Sequence, residues 1–154
     1  MNFIIIFGLV FFVVGVALFV AAIVQGNKAK AAQAWPTTPG RILYVGLQEN
    51  RSSDSDNGTS YTYEPKVTYE YTLMGQRYTA DRIAFGTMSY DYRTASKKIA
   101  PYQQDATVTV HYDPSDPSKA VLEPKSAGAV VLYLLGSLFT VIGLVVTIAD
   151  LFVK

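Results

Sequence analysis

Two uncharged apolar runs, one near each end of the chain, constrain its architecture more than any other feature. Phe3 to Val24 (FIIIFGLVFFVVGVALFVAAIV) and Ala127 to Ala149 (AGAVVLYLLGSLFTVIGLVVTIA) carry no charged residue. A helix needs about twenty residues to cross the hydrocarbon core of a bilayer. Both runs are that long, and the polar residues lie almost entirely between them. The sequence therefore reads as a membrane α-helical hairpin, spans 3–24 and 127–149, carrying one compact domain over 35–126. The first run has no basic residues ahead of it and exceeds the 7–15 residues of a secretory leader's apolar core, so it is expected to be retained as a span.

Lys28, Lys30 and Arg41 follow the first span, and Lys119 and Lys125 precede the second. Basic residues beside spans favour the cytoplasm. The expected orientation places the domain there, with membrane lipid as one partner. Except for Lys154 and Asp150, all 13 Lys/Arg and 12 Asp/Glu of the chain lie between the spans, leaving that segment close to neutral. A nucleic-acid domain carries a clustered basic excess, so no nucleic-acid partner is expected. The chain has no cysteine, which removes disulfides and thiolate chemistry.

Small residues recur every seven positions in both spans: Gly8, Gly15 and Ala22 in the first, Ala129, Gly136 and Gly143 in the second. Membrane helices associate through such stripes because small side chains let backbones approach. A helix-packing seam is expected, within the hairpin or against another copy.

Residues 25–34 (QGNKAKAAQA) are good helix formers and should extend the first helix until Trp35-Pro36 stops it. Arg41 to Glu49 reads as a first strand and Asn50 to Ser60 as a polar loop. Tyr61 to Leu73 alternates strictly, with Val67, Tyr69, Tyr71 and Leu73 on one face. Met74-Gly75 turns the chain into Arg77–Phe85. Ser89 to Ala100 has helical spacing with Ser89 as N-cap. Ala106–Tyr112 and Ala120–Leu122 complete about five strands, with turns at Asp113-Pro114 and Asp116-Pro117. The expected fold is a small, mainly antiparallel β domain with one short helix, a barrel or a sandwich, on the membrane hairpin.

Motifs of chemistry are sparse. His111 is the only histidine and there is no cysteine, whereas a zinc site needs three or four ligands. By strand alternation it falls opposite Val108 and Val110, on the solvent face. Asp54 to Gly58 starts like a calcium loop, but Gly stands at position 5 and Pro65 at position 12, so the pattern fails. Phosphate-loop, nucleophile-elbow and Walker patterns do not occur. Catalytic, cofactor and metal residues are all expected to be absent. Eleven tyrosines suit strand surfaces, and some could form an exposed binding face.

Trp35-Pro36 with Gly40-Arg41-Ile42, Val67-x-Tyr69-x-Tyr71 with Gly75-Gln76-Arg77-Tyr78, Val108-x-Val110-His111-Tyr112-Asp113-Pro114-x-x-Pro117, and Ala120-Val121-Leu122-Glu123-Pro124 before a second span resemble the prokaryotic membrane family called domain of unknown function 3592. The resemblance covers nearly the whole chain. The family pattern usually shows an aromatic where His111 stands. The resemblance implies architecture and leaves function open, with structural roles for Trp35, Pro36, Gly75, Asp113, Pro114 and Pro117. The leading expectation is a non-enzymatic interaction, scaffold or regulatory protein whose partner is another membrane or envelope protein or a second copy. The alternatives are a membrane-tethered hydrolase using His111 with Asp113 or Asp81, and a small oligomeric pore or transport accessory.

Overall fold

The computed structural model describes residues 3–54, 58–86 and 88–152. Residues 55–57 of the calcium-like stretch lie outside these. The chain divides into two compact units, residues 1–27 with 128–154 and residues 28–127.

The first unit is helical. Helix α1 (Phe3–Ala32) is unbroken over 30 residues, and only its last turns belong to the second unit. It ends in a turn at Gln33 and Ala34, with Trp35 N–H donating to Ala32 O at 3.2 Å. The extension expected over 25–34 thus stops two residues short. Helix α3 (Ala129–Phe152) follows Gly128, whose φ of +78° suits glycine. Both helices are long and apolar enough to cross a membrane.

The second unit is one five-stranded antiparallel sheet in the order β3-β2-β1-β4-β5. Its strands are β1 (Thr37–Asp54), β2 (Gly58–Leu73), β3 (Gln76–Ala80), β4 (Thr107–Asp113) and β5 (Asp116–Val121), with helix α2 (Tyr92–Ile99) between β3 and β4. The sheet is open, not a closed barrel or a two-sheet sandwich. Its two edges are joined through residues that follow β3 and β5: Leu122 N–H donates to Arg82 O at 3.2 Å and Glu123 N–H to Ile83 O at 2.7 Å.

The core lies on one face. Ile42, Val67, Tyr69, Tyr71, Val110, Ala120 and Leu122 are buried together, with Ile99 and Tyr102 packed against them. A bulge between Ile42 and Tyr44 gives this face its shape. Before it, Gly40 and Ile42 point to the core. After it the parity changes, and Val45 stands opposite Val67. One extra residue re-aims the rest of a strand in this way. On the opposite face Ala29, Ala32, Phe85 and Val121 form a smaller cluster with Trp35.

Several boundaries differ from the sequence reading. Asn50 to Ser60 is mostly strand, since β1 and β2 stay paired out to Asp54 and Gly58. β3 ends at Ala80, well before Phe85. The N-cap of α2 is Asp91, not Ser89: its carboxylate accepts from Thr94 N–H at 3.1 Å. Tyr90 is held extended by paired backbone bonds to Tyr63, so the helix can begin only after it. Asp116-Pro117 lies in β5, and the β4–β5 turn is Pro114-Ser115 alone.

Candidate functional site

The most distinctive surface of the domain is a protruding ribbon. β4 pairs with β1 only over Thr37–Arg41, and β3 with β2 only over Tyr69–Leu73. Beyond the bulge β1 and β2 continue alone, from Val45↔Val67 to Asp54↔Gly58. A two-stranded ribbon is marginal by itself in water. This one is braced on the β2 side. Tyr63 and Tyr90 exchange backbone hydrogen bonds at 2.8 and 2.9 Å. The Tyr63 ring meets Tyr92 edge-on at 5.3 Å, and its hydroxyl donates to Glu49 at 3.0 Å. That bond, with a smaller contribution from burial, raises the Tyr63 pKa. Lys98 sits 5.8 Å from the Tyr90 ring centre, a cation–π distance.

Around this brace the aromatic surface is open. Tyr44 is 54% exposed, Tyr61 47% and Tyr92 63%. The Tyr44 ring lies over Gly46, where a Cβ would collide with its hydroxyl. Glycine there lets an aromatic cover the backbone of the strand.

Other tyrosines are structural. Tyr69 OH donates to Arg82 O at 3.0 Å and Tyr71 OH to Pro117 O at 2.6 Å. Tyr102 OH donates to Glu123 at 2.8 Å, and Lys125 pairs with the same carboxylate. Burial raises the pKa of Tyr69, Tyr71 and Tyr102, and for Tyr102 the Glu123 hydrogen bond adds to it. Burial also pushes the Glu123 carboxyl up, but Lys125 and Tyr102 outweigh it and the group ends below the usual range. A tyrosine whose pKa is raised stabilises the fold fully below the ordinary tyrosine value of 10.0 and loses that contribution as pH rises above it. The buried Tyr69, Tyr71 and Tyr102 should therefore ionise only as the domain unfolds cooperatively above about pH 10, not while it is folded. Tyrosinate absorbance and circular dichroism followed through one alkaline titration will check this. Full ionisation with the sheet signal intact would refute it.

His111 is not on an open solvent face. It pairs with Thr37 and with Val121, and Val121 is wholly buried in the smaller cluster. The histidine is half-buried, and its Nδ1 is shielded from solvent without a hydrogen-bond partner. Neither carboxylate of the hydrolase alternative orients that nitrogen. Asp113 instead accepts from Ser115 N–H at 2.9 Å and Ser115 OH at 2.6 Å, and these two bonds lower its pKa. Among the described residues no group of three or more His, Cys, Asp or Glu is placed to hold a metal ion.

The residues with expected structural roles are placed as follows. Trp35 meets Phe85 edge-on at 6.0 Å. Pro36 presents its carbonyl to Tyr112 N–H at 3.1 Å. Gly75, with φ of +81°, completes the β2–β3 turn beside Met74 at +50°, where positive φ at both positions matches the twist of the strands. Pro114 lies in the β4–β5 turn, and the Pro117 carbonyl receives Tyr71.

Within the helical unit Gly8 and Gly15 of α1 face Gly143 and Gly136 of α3. A Cβ on Gly15 would stand 2.5 Å from Thr140 N, and one on Gly136 3.0 Å from Gly15 O. Thr140 and Thr147 turn their hydroxyls back to Gly136 O and Gly143 O at 2.7 and 2.8 Å. Their polar atoms are thus satisfied beside the seam. Ala22 is fully buried, while Ala129, the first residue of α3, is half-buried.

The sequence shows Arg41–Glu49 and Tyr61–Leu73 as strands but not the outer part of the ribbon, Asn50 to Asp54 and Gly58 to Ser60, because those residues are polar on both faces. The one available signal was the pair of β-forming segments on either side of Asn57-Gly58. The family model described as Domain of unknown function (DUF3592) matches residues 38–127, which take in the whole ribbon. No curated protein matches the chain.

Proposed function

We propose a role for a chain that belongs to the domain of unknown function 3592 family: α1 and α3 anchor it in a bilayer, and the β domain binds another protein there without performing catalysis. The observation that carries this reading is the ribbon, a long strand pair with exposed tyrosines and an unpaired strand edge. Strand edges recognise partners through main-chain hydrogen bonds. Exposed tyrosines add amphipathic contact area, and aromatics are enriched at interfaces. The Lys/Arg residues beside the spans favour a cytoplasmic domain.

The experiment is photo-crosslinking in intact membranes. A photoreactive side chain replaces Tyr44 or Tyr61 on the ribbon, or Lys119 on β5 as a control. Protein adducts from the ribbon positions, and few from Lys119, are expected. A ribbon that forms no protein adduct in membranes holding correctly inserted protein would overturn the reading.

A further inference from the structure

The two edges of the ribbon are not equivalent. β2's outer edge is occupied at Tyr63 by Tyr90. Pro65, which has the same outward parity, offers no N–H there. β1's outer edge is bonded at Ile42, whose N–H donates to Ala106 O and whose carbonyl accepts from Asp105 N–H. From Tyr44 to Asp54 no backbone partner lies on that edge among the described residues. Such a row of unpaired groups is a template for another strand.

The backbone parity along β1 follows from Tyr63. Its N–H and C=O both point to Tyr90, away from β1. Its opposite number Glu49 must then point away from β2. Val45, Leu47, Glu49, Arg51 and Ser53 therefore present their N–H and C=O groups to the free edge.

We infer that this edge pairs antiparallel with the same edge of a second copy, about a two-fold axis through Asn50. The inference rests on the ribbon being the binding surface proposed above, and it names the partner. The argument is one of register. In an antiparallel ladder, directly opposed residues exchange both hydrogen bonds or neither. A strand meeting its own copy must therefore centre on a residue. Centred on Glu49, it opposes two carboxylates; centred on Arg51, two guanidinium groups. Like charges directly opposed destabilise a strand pair. Centred on Asn50, each Glu49 faces the partner's Arg51, and the ion pair forms twice. Among the described residues no ion pair already holds Glu49 or Arg51.

The length fits as well. Centred on Asn50, Gly46 stands opposite the partner's Asp54, so pairing ends before the stretch occupied at Ile42. Two marginal ribbons become one four-stranded sheet, the size at which a sheet sustains itself. A two-fold contact of one surface with itself is the commonest way soluble proteins form dimers.

The test uses the full chain in its membrane, and the native absence of cysteine makes it clean. On the axis Asn50 occupies a non-hydrogen-bonded position, with Cα atoms about 4.5 Å apart, within disulfide range. Asn50→Cys should give a covalent dimer as the main product of mild oxidation. Gln48→Cys should not, because the two copies of residue 48 lie roughly 14 Å apart, four residues at 3.4 Å each. Ser118→Cys serves as a remote control. Adding Glu49→Arg or Arg51→Glu to Asn50→Cys should lower the dimer yield about tenfold, and combining both reversals should restore it. The inference is overturned by a monomeric oxidised Asn50→Cys protein, by equal yields at Gln48 or Ser118, or by failure of the double reversal to rescue. Ribbon photo-adducts to other proteins, with no Asn50→Cys dimer, would keep the interaction reading and remove self-pairing. Absence of both would remove both.

Discussion

Ile42→Ala should destabilise the β domain by about 2–5 kcal/mol, a large share of the roughly 5–15 kcal/mol that holds a domain together. Ile42 is fully buried, opposite Tyr69 and beside the bulge of β1. The loss has two sources, the hydrophobic transfer of the missing atoms and the cavity they leave. The cavity has little means of collapse. Ile42 stands opposite Tyr69 of β2, and both its backbone groups are bonded to the 105–106 segment, N–H to Ala106 O and C=O to Asp105 N–H. Ile42→Val should cost about 0.5–1.5 kcal/mol. Chemical denaturation of the full-length protein, followed by tyrosine fluorescence, will check the ranking. Equal midpoints for alanine and wild type would show that the sheet does not depend on this position.

Leucine at both Gly15 and Gly143 should open the helical hairpin. A Cβ at either position meets backbone: Thr140 N for Gly15 and Phe12 N for Gly143. Side chains can turn aside, but backbone in a helix cannot without moving the helix. Overpacking typically costs about 1–3 kcal/mol per site, and rigid backbone obstacles favour the upper end. Gly26 is the natural control, since a Cβ there meets nothing within 4 Å. The expected result is a lowered melting temperature in detergent for the double variant and little change for Gly26→Leu. Unchanged melting in the double variant would mean that the close crossing adds nothing to stability.

The sequence displayed the helices and the core strands because each carries a periodicity imposed by its surroundings. A bilayer demands unbroken apolar length, which Phe3 and the residues after it supply. A one-sided core demands alternation, which Val67, Tyr69 and Tyr71 supply. The outer part of the ribbon has solvent near both faces, so no apolar period marks Asn50 to Ser53 or Thr59 and Ser60. Their strand state comes from the ladder itself, which composition does not record. The bulge was hidden for a related reason. Ile42, Leu43, Tyr44 and Val45 are all strand-formers, and their side chains alone do not show which of them changes face. His111 was misplaced because alternation separates two faces without showing what covers each. Here Val121, its neighbour across the strand pair, joins Trp35 and the last turn of α1 in a second cluster. The small-residue stripes were visible as spacing, and the threonines' return bonds to Gly136 and Gly143 became evident only with coordinates.

The position of β1 at the middle of the sheet sets the order in which the domain is assembled. β1, β2 and β3 follow one another along the chain, β2 and β3 joined at Met74-Gly75, and form a local meander that needs nothing made later. β4 and β5 are likewise a hairpin closed by Pro114-Ser115. The distant ladder is that of β1 with β4, which brings Thr107 to Arg41, and the bonds from Leu122 and Glu123 to Arg82 and Ile83 join distant segments as well. Loop closure is an entropic cost met before the contacts it permits, and distant pairings govern folding speed. Half of the sheet can therefore exist during synthesis while β1 waits with its outer edge bare from Thr37 to Arg41. The tight docking of Val110 against Ile42 comes as a single late event. Until then the newly made protein exposes the whole outer edge of β1, and a cell that makes it in quantity must keep such edges from finding each other too early.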